Sequence, residues 1–219
     1  MLDNPAGGCY AERVRKKRGR CMMMDVYVVR HGESEANLAQ VHSGWAQINL
    51  TEQGRQDAAM AGRLLKGISF DRIYSSDLIR TVQTAQIAVP GCEPVRLECL
   101  RETNTGTLTL VSVKECIEKY GEAYLKARGS RDFTAYEGEN HAMHRERVAG
   151  FLKMLAETAG DDEKVAVFAH YGTIQCMLDC VTGSDTSHGG VMVNNGSVMH
   201  LRWNGTKWIL ITWNRTEGI

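Results

Sequence analysis

Val26-Tyr27-Val28-Val29-Arg30-His31-Gly32 is an apolar, β-branched run that stops at two cationic or polar side chains and a glycine. It reads as a buried strand that delivers Arg30 and His31 into a loop at its carboxyl end. A second run of the same kind, Val165-Ala166-Val167-Phe168-Ala169, ends in the same way at His170. Neither run alternates apolar with polar residues as a half-exposed strand would, so both are expected to be parallel strands covered on both faces.

Working outward from these runs, Thr51 can cap a helix reaching about Lys66, with Gly67 as its stop. A strand is expected near Arg72-Ile73-Tyr74, then a helix from Leu78 to Val89 that ends at Pro90-Gly91, then extended chain over Pro94 to Leu97. Residues 112–128 are helical in composition and are broken by Arg128-Gly129-Ser130-Arg131-Asp132. A long helix from Asn140 to Thr158 leads into the second apolar run, and a helix from Thr173 to Cys180 follows it. Near the end, Val198–Trp203 and Lys207–Thr212 flank Asn204-Gly205, a strong two-residue hairpin signal. The alternation predicts an α/β domain: a mostly parallel sheet flanked by helices on both faces, with a small helical cap at about 103–139 and a C-terminal hairpin. Such sheets bind ligands at the carboxyl ends of their strands. If the two apolar strands are neighbours, His31 and His170 therefore share one crevice.

Composition narrows the class of function. At 219 residues, 43% hydrophobic and 24% charged, the chain is ordinary for one globular domain and too apolar for a disordered segment. Charged residues interrupt every candidate run of the ~18 apolar residues that a membrane span needs. Equal numbers of basic and acidic residues, 26 of each, leave no overall field toward nucleic acid or acidic lipid. Six bases between Arg13 and Arg20 stand against Asp3 and Glu12, so residues 1–23 are expected to form a basic, disordered extension before a domain at 24–219. The extension lacks the apolar region of a secretory signal, and a cytoplasmic protein is expected. Seven cysteines without CxxC spacing are read as reduced thiols. Cys176 and Cys180 are read as buried small hydrophobes rather than a metal pair. His141 and His144, three apart on the long helix, are read as part of a solvated face, and no metal or other cofactor is inferred.

The segment Arg30-His31-Gly32-Glu33-Ser34 resembles the RHG motif of the histidine phosphatase superfamily, the phosphoglycerate mutase-like proteins. The resemblance continues in the family's order through Asn37, Ser43-Gly44-Trp45, Leu50-Thr51-Glu52-Gln53-Gly54, Ser75-Ser76-Asp77-Leu78-Ile79-Arg80 with Gln83-Thr84-Ala85, Leu100-Arg101-Glu102, Gly138-Glu139 and His170-Tyr171-Gly172. It implies His31 as a nucleophile that forms phosphohistidine and Glu102 as the proton donor. Arg30, Asn37, Arg80 and His170 would hold the phosphoryl group, with Ser43, Gly44, Tyr171 and Gly172 also at the substrate. The chemistry fits: an arginine supplies bidentate charge, a glycine lets backbone approach a phosphate, and positive neighbours oppose protonation of the attacking imidazole.

Between phosphatase and mutase, three features favour hydrolysis. Only 67 residues separate Glu102 from His170, as in the shorter cap of the family's phosphatases. Arg128 and Arg131 are not adjacent, so the arginine pair with which mutases bind a carboxylate lacks an evident counterpart, and Gly172 stands where mutases tend to have asparagine. The expectation is a metal-independent phosphomonoesterase acting on a small phosphorylated substrate, as a monomer or homodimer. A phosphoglycerate mutase-type transferase and a phosphate-binding module without turnover are the alternatives.

Overall fold

The computed structural model describes residues 23–216; the basic run and the first two cysteines lie outside them. Strand β1 (Met24–Arg30) is followed by the short helix α1 (Glu35–Leu38), whose start is fixed by a reciprocal cap between Ser34 and Asn37. Helix α2 (Glu52–Leu64) is capped by the Thr51 hydroxyl, which accepts from the Gly54 amide at 3.0 Å. Then come β2 (Arg72–Ser75), α3 (Ile79–Ala88) and the two-residue strand β3 (Val95–Arg96).

Helix α4 (Val113–Ser130) runs two residues past its expected end. It bends at Gly121, which has φ +53°, and terminates on Arg131 in the left-handed conformation. Helix α5 (His141–Glu157) precedes β4 (Glu163–Ala169). Helix α6 (Tyr171–Thr182) begins two residues earlier than expected, because His170 itself adopts the extended backbone of a cap residue. The hairpin β5 (Val198–Trp203) and β6 (Trp208–Arg215) turns through the four residues 204–207 rather than through the two expected, because Asn204 Oδ1 accepts from the Thr206 and Lys207 amides at 3.1 and 2.9 Å.

One six-stranded sheet runs in the order β3-β2-β4-β1-β5-β6. The four strands from β3 to β1 are parallel, and β5 and β6 are antiparallel to their neighbours. Side chains alternate faces along a strand, so each central strand feeds two cores. Val26, Val28, Val165 and Val167 pack with Val148, Phe151 and Leu155 of α5 and Ile174 and Met177 of α6. Val29, Ala166 and Phe168 pack on the other face with Ala61 of α2 and Ala85 and Ala88 of α3. A third cluster, Leu108, Cys116, Tyr124 and Phe133, lies in the segment expected as a cap, and Tyr124 joins it to the loop after α1 through a 2.7 Å contact with His42. Among the described residues no helix is long and apolar enough to cross a membrane.

Candidate active site

Register places the two histidines together. Arg30 pairs with Ala169 at the ends of β1 and β4, so His31 and His170 leave adjacent strands at the same level, and the His31 amide still donates to the Ala169 carbonyl at 3.0 Å. The two rings lie 5.1 Å apart, centroid to centroid, and both side chains are buried. The close turn needs glycine: a Cβ on Gly32 would fall 2.0 Å from the Gly54 carbonyl oxygen, so the loop after β1 is pressed against the first turn of α2.

His31 Nδ1 lies 2.7 Å from the carbonyl of Gly32. A carbonyl only accepts, so Nδ1 carries the proton and the lone pair of the neutral ring is on Nε2. Burial first, then the charges of Arg80 and Arg30, holds His31 well below the usual histidine range, and burial with Arg80 does the same to His170. Both rings are therefore neutral at neutral pH. Neither nitrogen of His170 has a hydrogen-bond partner among the described residues, although both are buried.

The arginines reach the same place from different elements. Arg80, in the first turn of α3, is fully buried and donates to the carbonyls of Ala46 and Gly44, each at 3.0 Å, so it braces the 43–46 loop. Burial lowers its pKa to about 10, and it stays protonated at neutral pH. Arg30 donates to the Val193 carbonyl at 2.5 Å and stacks 5.2 Å from the ring centre of Tyr171. The Nε atoms of both arginines are buried without an acceptor among the described residues. Two guanidinium groups and a neutral histidine with unspent donors form an anion cradle at the strand ends.

Glu102 sits across from it, its carboxylate accepting from the Thr103 amide at 2.8 Å and from the Gly172 amide of α6 at 3.1 and 3.2 Å. A side chain on Gly172 would collide with Glu102 Oε1 at 2.4 Å. Gly172, expected at the substrate, thus lines the cavity while giving its amide and its free space to Glu102. Behind Glu102 lies a support that the sequence reading missed. Arg147 of α5 donates to the Glu102 carbonyl at 2.8 Å and to Cys99 O at 2.9 Å, and is itself held by buried Glu139 at 2.7 Å. His144 bridges the Thr103 and Thr173 hydroxyls at 3.0 and 3.1 Å. The solvated face expected for His141 and His144 is overturned: His144 is 1% exposed, and His141 is bonded to buried Asp179 at 3.0 Å.

A cavity of about 630 Å³ opens beside these groups, lined by Asn37, Ser43, Gly44, Glu102, Tyr171 and Gly172. Asn37 Oδ1 is spent on the amide and hydroxyl of Ser34, which leaves its amide nitrogen free of the cap. Tyr171 lies between two guanidinium groups, with Arg131 5.7 Å from its ring centre and its hydroxyl donating to Val191 O at 3.2 Å. Arg128 and Arg131, separate in sequence, both line this cavity, because the left-handed turn at Arg131 brings the end of α4 over it.

A buried neutral histidine thus lies beside two guanidinium groups at the carboxyl ends of parallel strands, where open α/β sheets bind their ligands. The model of the histidine phosphatase superfamily (branch 1) matches residues 26–216, and the chain belongs to that family. The 2,3-bisphosphoglycerate-dependent phosphoglycerate mutase of Brucella canis is 32% identical over 171 residues, which cover 74% of this chain and 83% of that protein. Among solved structures, the mycobacterial glucosyl-3-phosphoglycerate phosphatase superposes with a TM-score of 0.78 at 23% identity, covering 89% of this chain and 100% of the other. A variant phosphoserine phosphatase of Entamoeba histolytica, in complex with phosphoserine, gives 0.76 at 24% identity, covering 89% and 98%. The relatives thus include mutases and phosphatases, and the two structural likenesses carry the fold.

Proposed function

We propose that this chain is a phosphomonoester hydrolase that works through a phosphohistidine on His31. The observation that carries this reading is the 2.7 Å contact between His31 Nδ1 and the Gly32 carbonyl, which assigns the proton to Nδ1 and leaves the lone pair on Nε2, with Arg80 and Arg30 opposing protonation of the ring. In the first half-reaction Nε2 attacks phosphorus, the P–O ester bond breaks, and Glu102 gives its proton to the departing alkoxide oxygen. In the second, Glu102 takes a proton from water as the water oxygen attacks phosphorus, the N–P bond breaks, and inorganic phosphate leaves. Arg30, Arg80 and a His170 N–H donate to the non-bridging oxygens and stabilise their negative charge without rearrangement of solvent. Asn37 adds a neutral donor. No step requires a metal ion, and the substrate is a small phosphorylated molecule whose remainder occupies the cavity between Tyr171, Arg128 and Arg131.

The identity to phosphoglycerate mutases supports a second reading, in which a substrate hydroxyl rather than water receives the phosphoryl group. Both are tested together by phosphate release from a panel of phosphomonoesters with EDTA present, for wild type and His31→Ala, with isomerisation of 3-phosphoglycerate followed in parallel. Release that survives chelation and disappears with His31 is the expected result. Isomerisation without net release assigns the mutase, and stoichiometric phosphate binding without turnover assigns a binding module.

A further inference from the structure

On the far side of α5 from Glu102, a second cavity of about 610 Å³ is lined by Asn140, His141, Arg145, Asp185 and Ser187 among others. At its wall, one ligand atom from each of His141, Asp179 and Asp185 lies within 4.8 Å of the other two. His141 Nε2 is 3.0 Å from Asp179 Oδ2 and 3.9 Å from Asp185 Oδ1. Bonds of about 2.0–2.1 Å in a tetrahedral zinc site put neighbouring ligand atoms about 3.3 Å apart, and the two distances bracket that value. We propose that His141, Asp179 and Asp185 bind a divalent zinc-type cation, with its remaining position open to water from the cavity.

The surroundings are built as such a site requires. Asp179 is fully buried, and Oδ2 accepts from the Thr186 amide at 3.1 Å and the Thr186 hydroxyl at 2.9 Å, while Oδ1 accepts from Ser184 Oγ at 2.9 Å. These bonds fix the carboxylate in place, as the outer partners of a ligating carboxylate do. His141 would bind the cation through Nε2, with its other ring nitrogen, Nδ1, 3.9 Å from Cys176 Sγ. Two carboxylates balance the charge of the ion. Imidazole with carboxylate suits zinc better than magnesium, which prefers all-oxygen octahedra.

The cation has a structural consequence, because Asp185 and Ser187 stand on the loop that follows α6. The Asp185 carboxylate accepts from the Ser187 amide at 2.9 Å, and Ser187 lines both this cavity and the one beside Glu102. Tying Asp185 to α5 and α6 therefore fixes one wall of the candidate active site. The site is separate from the anion cradle, and it is read by zinc uptake and loop exchange rather than by turnover, so this inference and the proposed function fail independently.

The test is calorimetric titration of the full chain, cleared of metal by a chelator, with Zn²⁺ alone, together with amide hydrogen exchange over 183–189. Wild type is expected to take up one equivalent that Asp185→Asn weakens at least about tenfold and His141→Asn removes. Zinc is expected to slow exchange in the loop for wild type and not for Asp185→Asn, while His188→Asn behaves as wild type. Asp185 is exposed, so its variant keeps the fold even if the His141 variant does not. Zinc uptake identical in wild type and Asp185→Asn, or exchange unaltered by zinc in wild type, overturns the proposal.

Discussion

Gly172→Ala tests how Glu102 is aimed. The new Cβ would sit 2.4 Å from Glu102 Oε1, 2.9 Å from Thr103 Oγ1 and 3.2 Å from His144 Cε1, and all three are side-chain atoms. Relief requires Glu102 to retreat by about 1 Å to reach ordinary contact distance, and misplacement on that scale costs about 10²-fold in rate. The fold should tolerate the change, because the backbone there is helical and alanine gains about 1 kcal/mol of helix propensity over glycine. The effect should also depend on the leaving group. An alkyl phosphate needs a proton on its departing oxygen, whereas an aryl phosphate with a weakly basic phenolate does not. The expected outcome is a kcat lower by about 100-fold on the alkyl ester, less than about 10-fold lower on the aryl ester, and a melting temperature close to wild type. Equal losses on both esters, or none on either, would refute the placement of Glu102 as proton donor.

Arg80→Lys keeps the charge but cannot bridge the Gly44 and Ala46 carbonyls, so kcat/KM should fall by about 10²- to 10³-fold, measurable in steady state. Arg147→Met leaves Glu139 buried without its cation and should cost about 3–5 kcal/mol in urea unfolding; a loss under about 1 kcal/mol would contradict the pairing. His31, His144 and His170 are all held neutral below the usual histidine range, mainly by burial. The unfolded chain therefore binds more protons below about pH 6.5, and stability should fall with acidification by about 1.4 kcal/mol per pH unit for each histidine. Unfolding at pH 7.5 and 5.5 checks the sign, and His144→Gln should flatten the slope.

The two apolar runs were legible because a strand covered on both faces must be apolar at successive positions, and His31 and His170 were visible as the residues that end them. Their adjacency was not legible. It depends on β4 inserting between β2 and β1, which is settled by how α2, α3, α5 and α6 cover the two faces. His144 was read as solvated and Arg147 was not singled out, for a different reason: polar side chains on a loosely amphipathic helix look solvated until Thr103, Thr173 and Glu139 are folded against them. Arg128 and Arg131 looked unrelated because a left-handed residue at a helix end is a conformation that arginine seldom signals.

The matched ends of β1 and β4 carry an evolutionary consequence. Because Arg30 and Ala169 are paired in register, the interval between the two imidazoles derives from the spacing of neighbouring strands, which every parallel sheet holds near 4.8 Å. The residues that line the cavity beside them, among them Ser43, Arg128, Arg131 and Tyr171, stand on a loop and at helix ends, where a residue can change without moving that interval. Such an architecture lets natural selection vary the surroundings of the cavity while the two histidines stay ruled to a fixed gauge.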